Sequence, residues 1–522
     1  MQKLLFLILI GVLVISCKKE PTSWDTSISA PILKSNLGIG DLIADSLLEI
    51  GDDQTVAIRI NENIFNFGID SLIDIEPDTV SKVFSIAPIP EFTFNPGQTF
   101  YNSDETFEFA GIEAQLSNAI LKSGSLYLKA ENTIESNLDF ILNIPRAIKD
   151  GHSLSISASI PPSTISGNGI LEIEVDMADY SLDLSGIDGN SYNILEVEFT
   201  LTNPIENDPI TVINTDFVNL FLSYSELDVS YALGYFGSEL LDLNEASSFS
   251  VLEDYRESVL DLSSVEADLI FSNGFGVDIQ ASIYQLKAFN AYSERMVTLE
   301  NSLIGSTINL SRAIDNGGTV TPFLKTISLN STNSNIADFI EIIPDSIKIL
   351  ANADLNPFGN ISNYNDFLSA ESSLRCDVDI RIPLQLSLSN LILNDTTDIT
   401  WPTDESFQVN SGVLYLKAEN SFPAELSLQL IALDGNNNAL LDLNTYLSDS
   451  QGTIGGSPDH LPILSLLKYT LDENAIEQME KAEKIAIRAS FETAAYPQEV
   501  NFYQEDSLRL LISTDINSKI TF

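Results

Sequence analysis

Ser123–Asn132 reads SGSLYLKAEN, and Ser411–Asn420 reads SGVLYLKAEN, so one phrase returns after 411 − 123 = 288 residues with nine of its ten residues unchanged. In Leu126-Tyr127-Leu128-Lys129-Ala130-Glu131, apolar residues alternate with residues that tolerate water. After Asn132 and a short polar connector, the alternation resumes at Leu138, Phe140, Leu142 and Ile144. A period of two on both sides of a turn predicts two strands, each with one buried face, joined as a hairpin. The later copy has the same form, with Leu414, Leu416 and Ala418 before Asn420 and Leu426, Leu428 and Leu430 after it.

Two further stretches keep the pattern without the words. Leu195, Val197, Phe199 and Leu201 precede Asn203-Pro204, and Val265, Ala267, Leu269 and Phe271 precede Asn273-Gly274. Asn132, Asn203, Asn273 and Asn420 are therefore predicted to be repeat turns, a role that suits a residue tolerant of left-handed backbone whose amide bonds nearby main-chain groups. The spacings are 203 − 132 = 71, 273 − 203 = 70 and 420 − 273 = 147, so a copy is expected between the last two. Ile347 to Gly359 is the candidate, although its alternation slips by one residue. A second match, Asp25 to Pro31 against Asp377 to Pro383, is offset by 352 and places an insertion of 352 − 288 = 64 residues between Asp41 and Glu108.

The fold these patterns predict is all-β: tandem or stacked antiparallel β-sandwich-like modules of about 70 residues in an elongated assembly, with a few short helices. Helices are expected at Ser334–Ile343, stopped by Pro344, and at Asp472–Lys484, where Glu477/Lys481 and Glu480/Lys484 are at supporting spacing. The implied segments are a signal peptide at 1–16, a tether at 17–23, a first β unit at 24–162 with its insertion near 41–108, and middle modules at 163–330. A helix-containing connector with a degenerate module follows at 331–375, and a C-terminal β unit at 376–522.

With 25 Lys and Arg against 75 Asp and Glu, the net charge of −50 repels phosphate backbones and anionic lipid and argues against nucleic acid as a partner. Because 44% of the residues are hydrophobic, the chain is not a disordered acidic tail. The apolar run Leu4 to Ile15 behind Lys3 is too short for a comfortable membrane span and has the flanks of a secretory signal.

Val14-Ile15-Ser16-Cys17 resembles the lipobox of bacterial lipoproteins, which implies that Cys17 becomes the lipidated first mature residue. Lys18 in place of aspartate implies the outer membrane, on its periplasmic or its surface side. With Cys17 lipidated, Cys376 is left without a partner for an intramolecular disulfide. The lipobox and the long Asn-, Asp- and Ser-rich β body together resemble the envelope lipoproteins of Bacteroidota. Val197 to Val212, a strand, Asn-Pro and a returning strand, resembles the LEA-2/WHy β-sandwich family, which implies a binding or protective module and supplies no active-site residue. The Bacteroidota likeness also implies O-glycosylation at Asp-Ser/Thr-aliphatic or Asp-Ser/Thr-Thr sites, here Ser46, Ser71, Thr79, Ser346, Thr396 and Ser507.

A search for chemistry finds little. His152 and His460 have no Cys or His neighbour at metal-ligand spacing, and neither G-x-S-x-G nor a P-loop occurs. Ser465 to Lys468 matches Ser-x-x-Lys inside an apolar run, and the acidic loops Asp183–Asn190 and Asp434–Asn438 depart from the EF-hand pattern. Trp24 and Trp401 suit strand edges or core better than sugar stacking, and Cys376 suits a half-buried strand. No catalytic residue, metal or cofactor is assigned. The function expected is a membrane-anchored, non-catalytic envelope scaffold or binding lipoprotein, held by its N-terminal lipid and partnered by another envelope protein or a surface glycan. A carrier of an apolar ligand such as lipid, and a glycan-acting hydrolase, stand as alternatives.

Overall fold

The computed structural model describes residues 23–43, 45–68, 75, 77–86, 88–109, 114–256, 258–400, 407–448, 452–493 and 499–521. The chain opens with β1 (Ser23–Gly38), β2 (Leu48–Ile50), β3 (Val56–Gly68) and β4 (Asp78–Ser85). The long strands β1, β3 and β4 part company, each joining a different sandwich.

The first sandwich follows: β5 (Glu91–Phe94), β6 (Thr99–Glu108), β7 (Gln115–Asn132), β8 (Leu138–Lys149), β9 (His152–Ile160), β10 (Gly169–Asp176), β11 (Ser181–Asp183), β12 (Ile194–Thr202), β13 (Ile210–Ile213) and β14 (Phe217–Tyr235). One sheet runs β10-β7-β14-β4 and the facing one β9-β8-β12-β6. Short β11 pairs with both β7 and β8 and nearly closes one side into a barrel.

The second comprises β15 (Glu239–Ser248), β16 (Val259–Leu262), β17 (Glu266–Asn273), β18 (Ile279–Asn290), β19 (Arg295–Thr298), β20 (Thr307–Leu310), β21 (Ile314–Asp315), β22 (Val320–Thr321), β23 (Phe323–Asn330), β24 (Ser346–Leu355), β25 (Asp366–Ser369) and β26 (Ser373–Pro383). Its sheets are β23-β17-β26-β3 and β18-β24-β15, with β19 and β20 on the far side of β18.

The third comprises β27 (Gln385–Asp398), β28 (Phe407–Asn420), β29 (Glu425–Leu433), β30 (Ala439–Asp442), β31 (Thr453–Ile454), β32 (Ile463–Leu471), β33 (Lys484–Glu492), β34 (Val500–Asn501) and β35 (Ser507–Thr521). Its sheets are β32-β28-β35-β1 and β29-β33-β27, with β30 and β31 beside β29. The seven principal strands take the same order in all three pairing schemes. The fold is all-β and antiparallel, as the alternation predicted.

That scheme corrects the hairpin. β7 pairs with β10, β11 and β14, and β8 with β9, β11 and β12, so Asn132 does not turn one strand back along the other. It carries the chain across the core from one sheet to the facing one, as Asn273 does between β17 and β18 and Asn420 between β28 and β29. Asn203 makes a second crossing at the end of β12. The recurrence of about 70 residues is thus the interval between crossings within the first sandwich. Equivalent crossings lie 273 − 132 = 141 and 420 − 273 = 147 residues apart. Asn356 ends β24, which occupies the place of β12, and it lies one register position past Leu355, the partner of Ile279. The slip read in the sequence is this displacement.

Asp25–Pro31 and Asp377–Pro383 are not structural equivalents. β1 lies at a sheet edge on β35, whereas β26 lies between β3 and β17. The stretch between Asp41 and Glu108 holds the strands that reach the second and first sandwiches, so the segments drawn along the sequence do not coincide with the sandwiches. β1 belongs with residues near the other end of the chain, in register from Ser23↔Thr521 to Gly38↔Ser507.

Helices are few. Ile336–Glu341 forms ahead of Pro344, and Glu473–Met479 starts at Asp472, whose carboxylate accepts from Ala475 N at 2.8 Å. The latter is shorter than predicted. Glu477 and Lys481 do pair at 2.9 Å, but Lys484 is already in β33 and donates to Asn437. Between the first two sandwiches β25 pairs with β14, and Arg312 bonds both Asp278 (2.9 Å) and the fully buried Asp366 (3.2 Å). Between the second and third, β16 pairs with β27 beside an apolar cavity of about 50 Å³.

Candidate functional site

The four repeat-turn asparagines are fully buried, so each amide must find its partners inside the protein. Asn420 donates to Ala424 O (3.0 Å) and Gly455 O (2.9 Å) and accepts from Phe422 N (3.0 Å). Asn132 repeats this with Ser136 O, Pro161 O and Ile134 N, and Asn273 with Val277 O, Ser311 O and Phe275 N. Asn203 bonds Phe94 O and Asp208 O and accepts from Asn207. These groups knit the ends of the sandwiches and are structural. None of the four has a left-handed backbone; Asn356 does, with φ 46°. The amide, rather than φ tolerance, is what selects asparagine at the four.

The reactive groups are committed elsewhere. Cys376 is buried, and burial pushes its thiol well above the usual range; Arg375 bonds Asp377 at 3.0 Å instead. His152 is exposed, and its Nδ1 lies 2.9 Å from the Asp150 carbonyl oxygen. His460 Nδ1 lies 2.8 Å from Asp506 and its ring packs edge-on to Tyr503. Burial raises the Asp506 carboxyl, and its other oxygen accepts from Tyr503 N. Ser465 and Lys468 are three apart on β32 and so point to opposite faces, which rules out a Ser–Lys pair there. Asp183 accepts from Arg146 and Ser185, and Asp434 from the Asn438 side chain, Asn438 N and Asn436 N, which hold it below its ordinary value. Among the described residues no cluster of His, Cys, Asp or Glu is arranged to hold a metal. Cys17, Ser71 and Trp401 lie outside the described residues, and the Trp24 side chain is not described.

Of the candidate glycosylation residues, Ser46, Thr79 and Thr396 are exposed. Ser346 is half-buried and bonds Asp345, and Ser507 is half-buried with its amide bonded to Ser421.

Two open grooves stand out. The larger, about 460 Å³, lies on the outer face of β29 and β33 and is lined by Ser427, Leu428, Gln429, Asn444, Leu447, Gly452, Thr453, Arg488 and Ser490. Asn444 is fixed there by Leu428 O (2.7 Å) and Leu430 N (3.0 Å). The other, about 300 Å³, is lined by Asn301, Ser302, Leu303, Ser306, Thr307, Ile308, Asn309, Lys325 and Ile327. Each holds one cation among hydroxyls and amides, and neither is lined by a carboxylate. Sequence reading missed both, because an outward Ser, Gln or Arg on an alternating strand looks the same whether or not a groove lies over it. Among the described residues no helix is long and apolar enough to cross a membrane.

No family model matches the chain, and no curated protein matches it. Among solved structures, a protein from Parabacteroides distasonis named as secreted aligns over 53% of this chain and 82% of its own, at 13% identity and a TM-score of 0.30. A triple jelly-roll protein of an archaeal virus aligns over 81% and 90%, at 11% identity and a TM-score of 0.11. A T=1 particle protein of infectious bursal virus aligns over 93% and 84%, at 10% identity and a TM-score of 0.11.

Proposed function

We propose that this chain is an outer-membrane lipoprotein, anchored through Cys17, that acts without catalysis as a scaffold or binding module for another envelope protein or a surface glycan. The observation that carries this reading is the lining of the two grooves. In a chain with 75 acids, these two grooves present hydroxyls, amides, a few aliphatic side chains and a single cation each, and no carboxylate. Such a surface suits hydrogen bonding to sugar hydroxyls or to a polar loop, and it lacks the paired acids that glycoside hydrolysis uses. The largely enclosed apolar cavity of about 50 Å³ falls far short of the several hundred Å³ of small-molecule pockets, which weighs against a carrier of apolar ligands. Host glycosylation belongs to the same proposal, with Ser46, Thr79 and Thr396 the accessible acceptors; an intact mass showing only polypeptide and lipid removes it.

Mild crosslinking in the native envelope, followed by identification of what is captured, tests the reading. The expected result is a reproducible envelope protein or surface glycan, with no turnover of cell-wall or capsule polymers. Robust hydrolysis by the purified protein, abolished by one carboxylate substitution that leaves the fold intact, overturns it.

A further inference from the structure

The three equivalent sandwiches supply their own comparison, because each exposes the outer face of the sheet built on β7, β17 or β28. On the first, Lys129 sits among Glu131, Glu172 and Glu174. On the second, Arg59, Arg375 and Arg381 are bonded to Asp379, Asp377 and Glu49. The third differs in kind. Among the side chains described, its face carries Lys34, Lys417, Lys468 and Arg509 against Glu419 and Asp515. That is an excess of cations in a chain where acids outnumber them 75 to 25.

Leucines stand exposed between those cations: Leu464 at 62%, Leu466 at 65% and Leu511 at 36%. The register aligns Leu466, Lys417, Leu511 and Lys34 in one row across four strands. The neighbouring row is Leu464, Glu419, Arg509 and Asn36. Alternate residues Leu33, Leu416, Leu467 and Ile512 are buried in the core, so these leucines are additional to it. Only the Lys417–Glu419 contact, at 2.8 Å, satisfies a cation on this face by a salt bridge among the described residues.

We propose that this face rests on the anionic lipid bilayer to which the chain is tethered, so that the third sandwich lies flat on the membrane and the acidic remainder points away. Apolar side chains flanked by cations match the boundary between acyl chains and phosphates. The position of the tether supports a bilayer over a protein partner. β1 is the edge strand of this very sheet and begins at Ser23, 23 − 17 = 6 residues after Cys17, a reach of roughly 20 Å when extended. The inference rests on the lipid-anchor reading and adds an orientation to it.

The test uses the natively processed chain reconstituted in phosphatidylglycerol or phosphatidylcholine vesicles, with an environment-sensitive fluorophore on Leu466→Cys. Acylation of Cys17 and burial of Cys376 leave the introduced thiol as the reactive one, and a chain found unacylated is labelled in a Cys17→Ser background. Glu172→Cys, at the equivalent position of the first sandwich, is the control. The expected result is a blue shift and quenching by brominated lipid at position 466 in phosphatidylglycerol, both lost with Lys34→Glu and Lys468→Glu together, and no change at position 172. A solvent-exposed label at 466 in both vesicle types overturns the proposal. So does protection seen in native envelopes and absent from pure lipid, which would assign the face to a protein. The intact mass of the same preparation separates the two ideas. An unacylated chain whose 466 label is still buried keeps the surface and removes the anchor, whereas an acylated chain with an exposed label removes the surface.

Discussion

Asn420 shows how one side chain secures a crossing between sheets. A residue leaving one sheet for the other exposes main-chain groups that neither ladder can pair, and in a buried place each unpaired group costs about 1–3 kcal/mol. The amide supplies two donors to Ala424 O and Gly455 O and one acceptor to Phe422 N, which is the full demand of the site. Asn420→Ala should therefore destabilise the chain by on the order of 3 kcal/mol. Asn420→Asp should do no better, because it loses both donors. Exposed Asn436→Ala, in a solvated turn, should cost under about 0.5 kcal/mol. Urea denaturation of the three variants checks the ranking, and equal midpoints would mean that the crossing does not depend on the amide.

At the scale of the strand, parity decides which substitutions matter. Leu128 is fully buried opposite Leu222 on β14, whereas its neighbour Lys129 faces out and pairs with Glu131 at 2.7 Å. Leu128→Asp should cost about 3 kcal/mol or more, since it places a charge in the core, and Lys129→Asp about 1 kcal/mol or less. Thermal unfolding of the pair tests the assigned faces. A second strand-level contact ties the two sheets of the first sandwich together at their open edge, where Lys82 on β4 meets Glu105 on β6 at 2.6 Å. Its bond to Lys82 is the main cause holding the Glu105 carboxyl below its ordinary 4.5. A lowered carboxyl favours the folded state above its unfolded value, and that contribution fades as pH falls from about 4.5 through the lowered folded value. Exposure keeps it under about 1 kcal/mol. Amide exchange along β4 should accelerate on acidification in this range more in the parent than in Glu105→Gln, where the ion pair is already gone.

For the whole molecule, the N-terminal strands govern assembly. The third sandwich needs β35 between β1 and β28, so its sheet closes only when residues 521 − 23 = 498 apart have met. Contacts of such separation form slowly. The same arrangement places Ser23, 23 − 17 = 6 residues after Cys17, at the edge of one particular sheet. Cys17→Ser should release the protein from the membrane fraction after a high-salt wash, because the attraction proposed for the basic face is screened by salt whereas the proposed lipid would not yield to it. Retention of that variant would reveal a second strong anchor.

Strand, buried face and the place where each run stops were legible from the sequence because each is local: alternation fixes which residues are buried, and a recurring asparagine marks the end of the run. The helix Glu473–Met479 was legible for the same reason, through the spacing of Glu477 and Lys481. What alternation cannot specify is the partner of each strand, since the pattern of β7 fits a hairpin as well as a crossing between facing sheets. Tertiary structure decided that β1, β3 and β4 serve three different sandwiches, that the 70-residue spacing marks half of a unit, and that chain ends almost 500 residues apart lie side by side. The groove over β29 and β33 and the leucine–lysine face of the third sandwich escaped for a related reason. Each is assembled from outward residues on several strands, single positions that become a surface only when pairing aligns them.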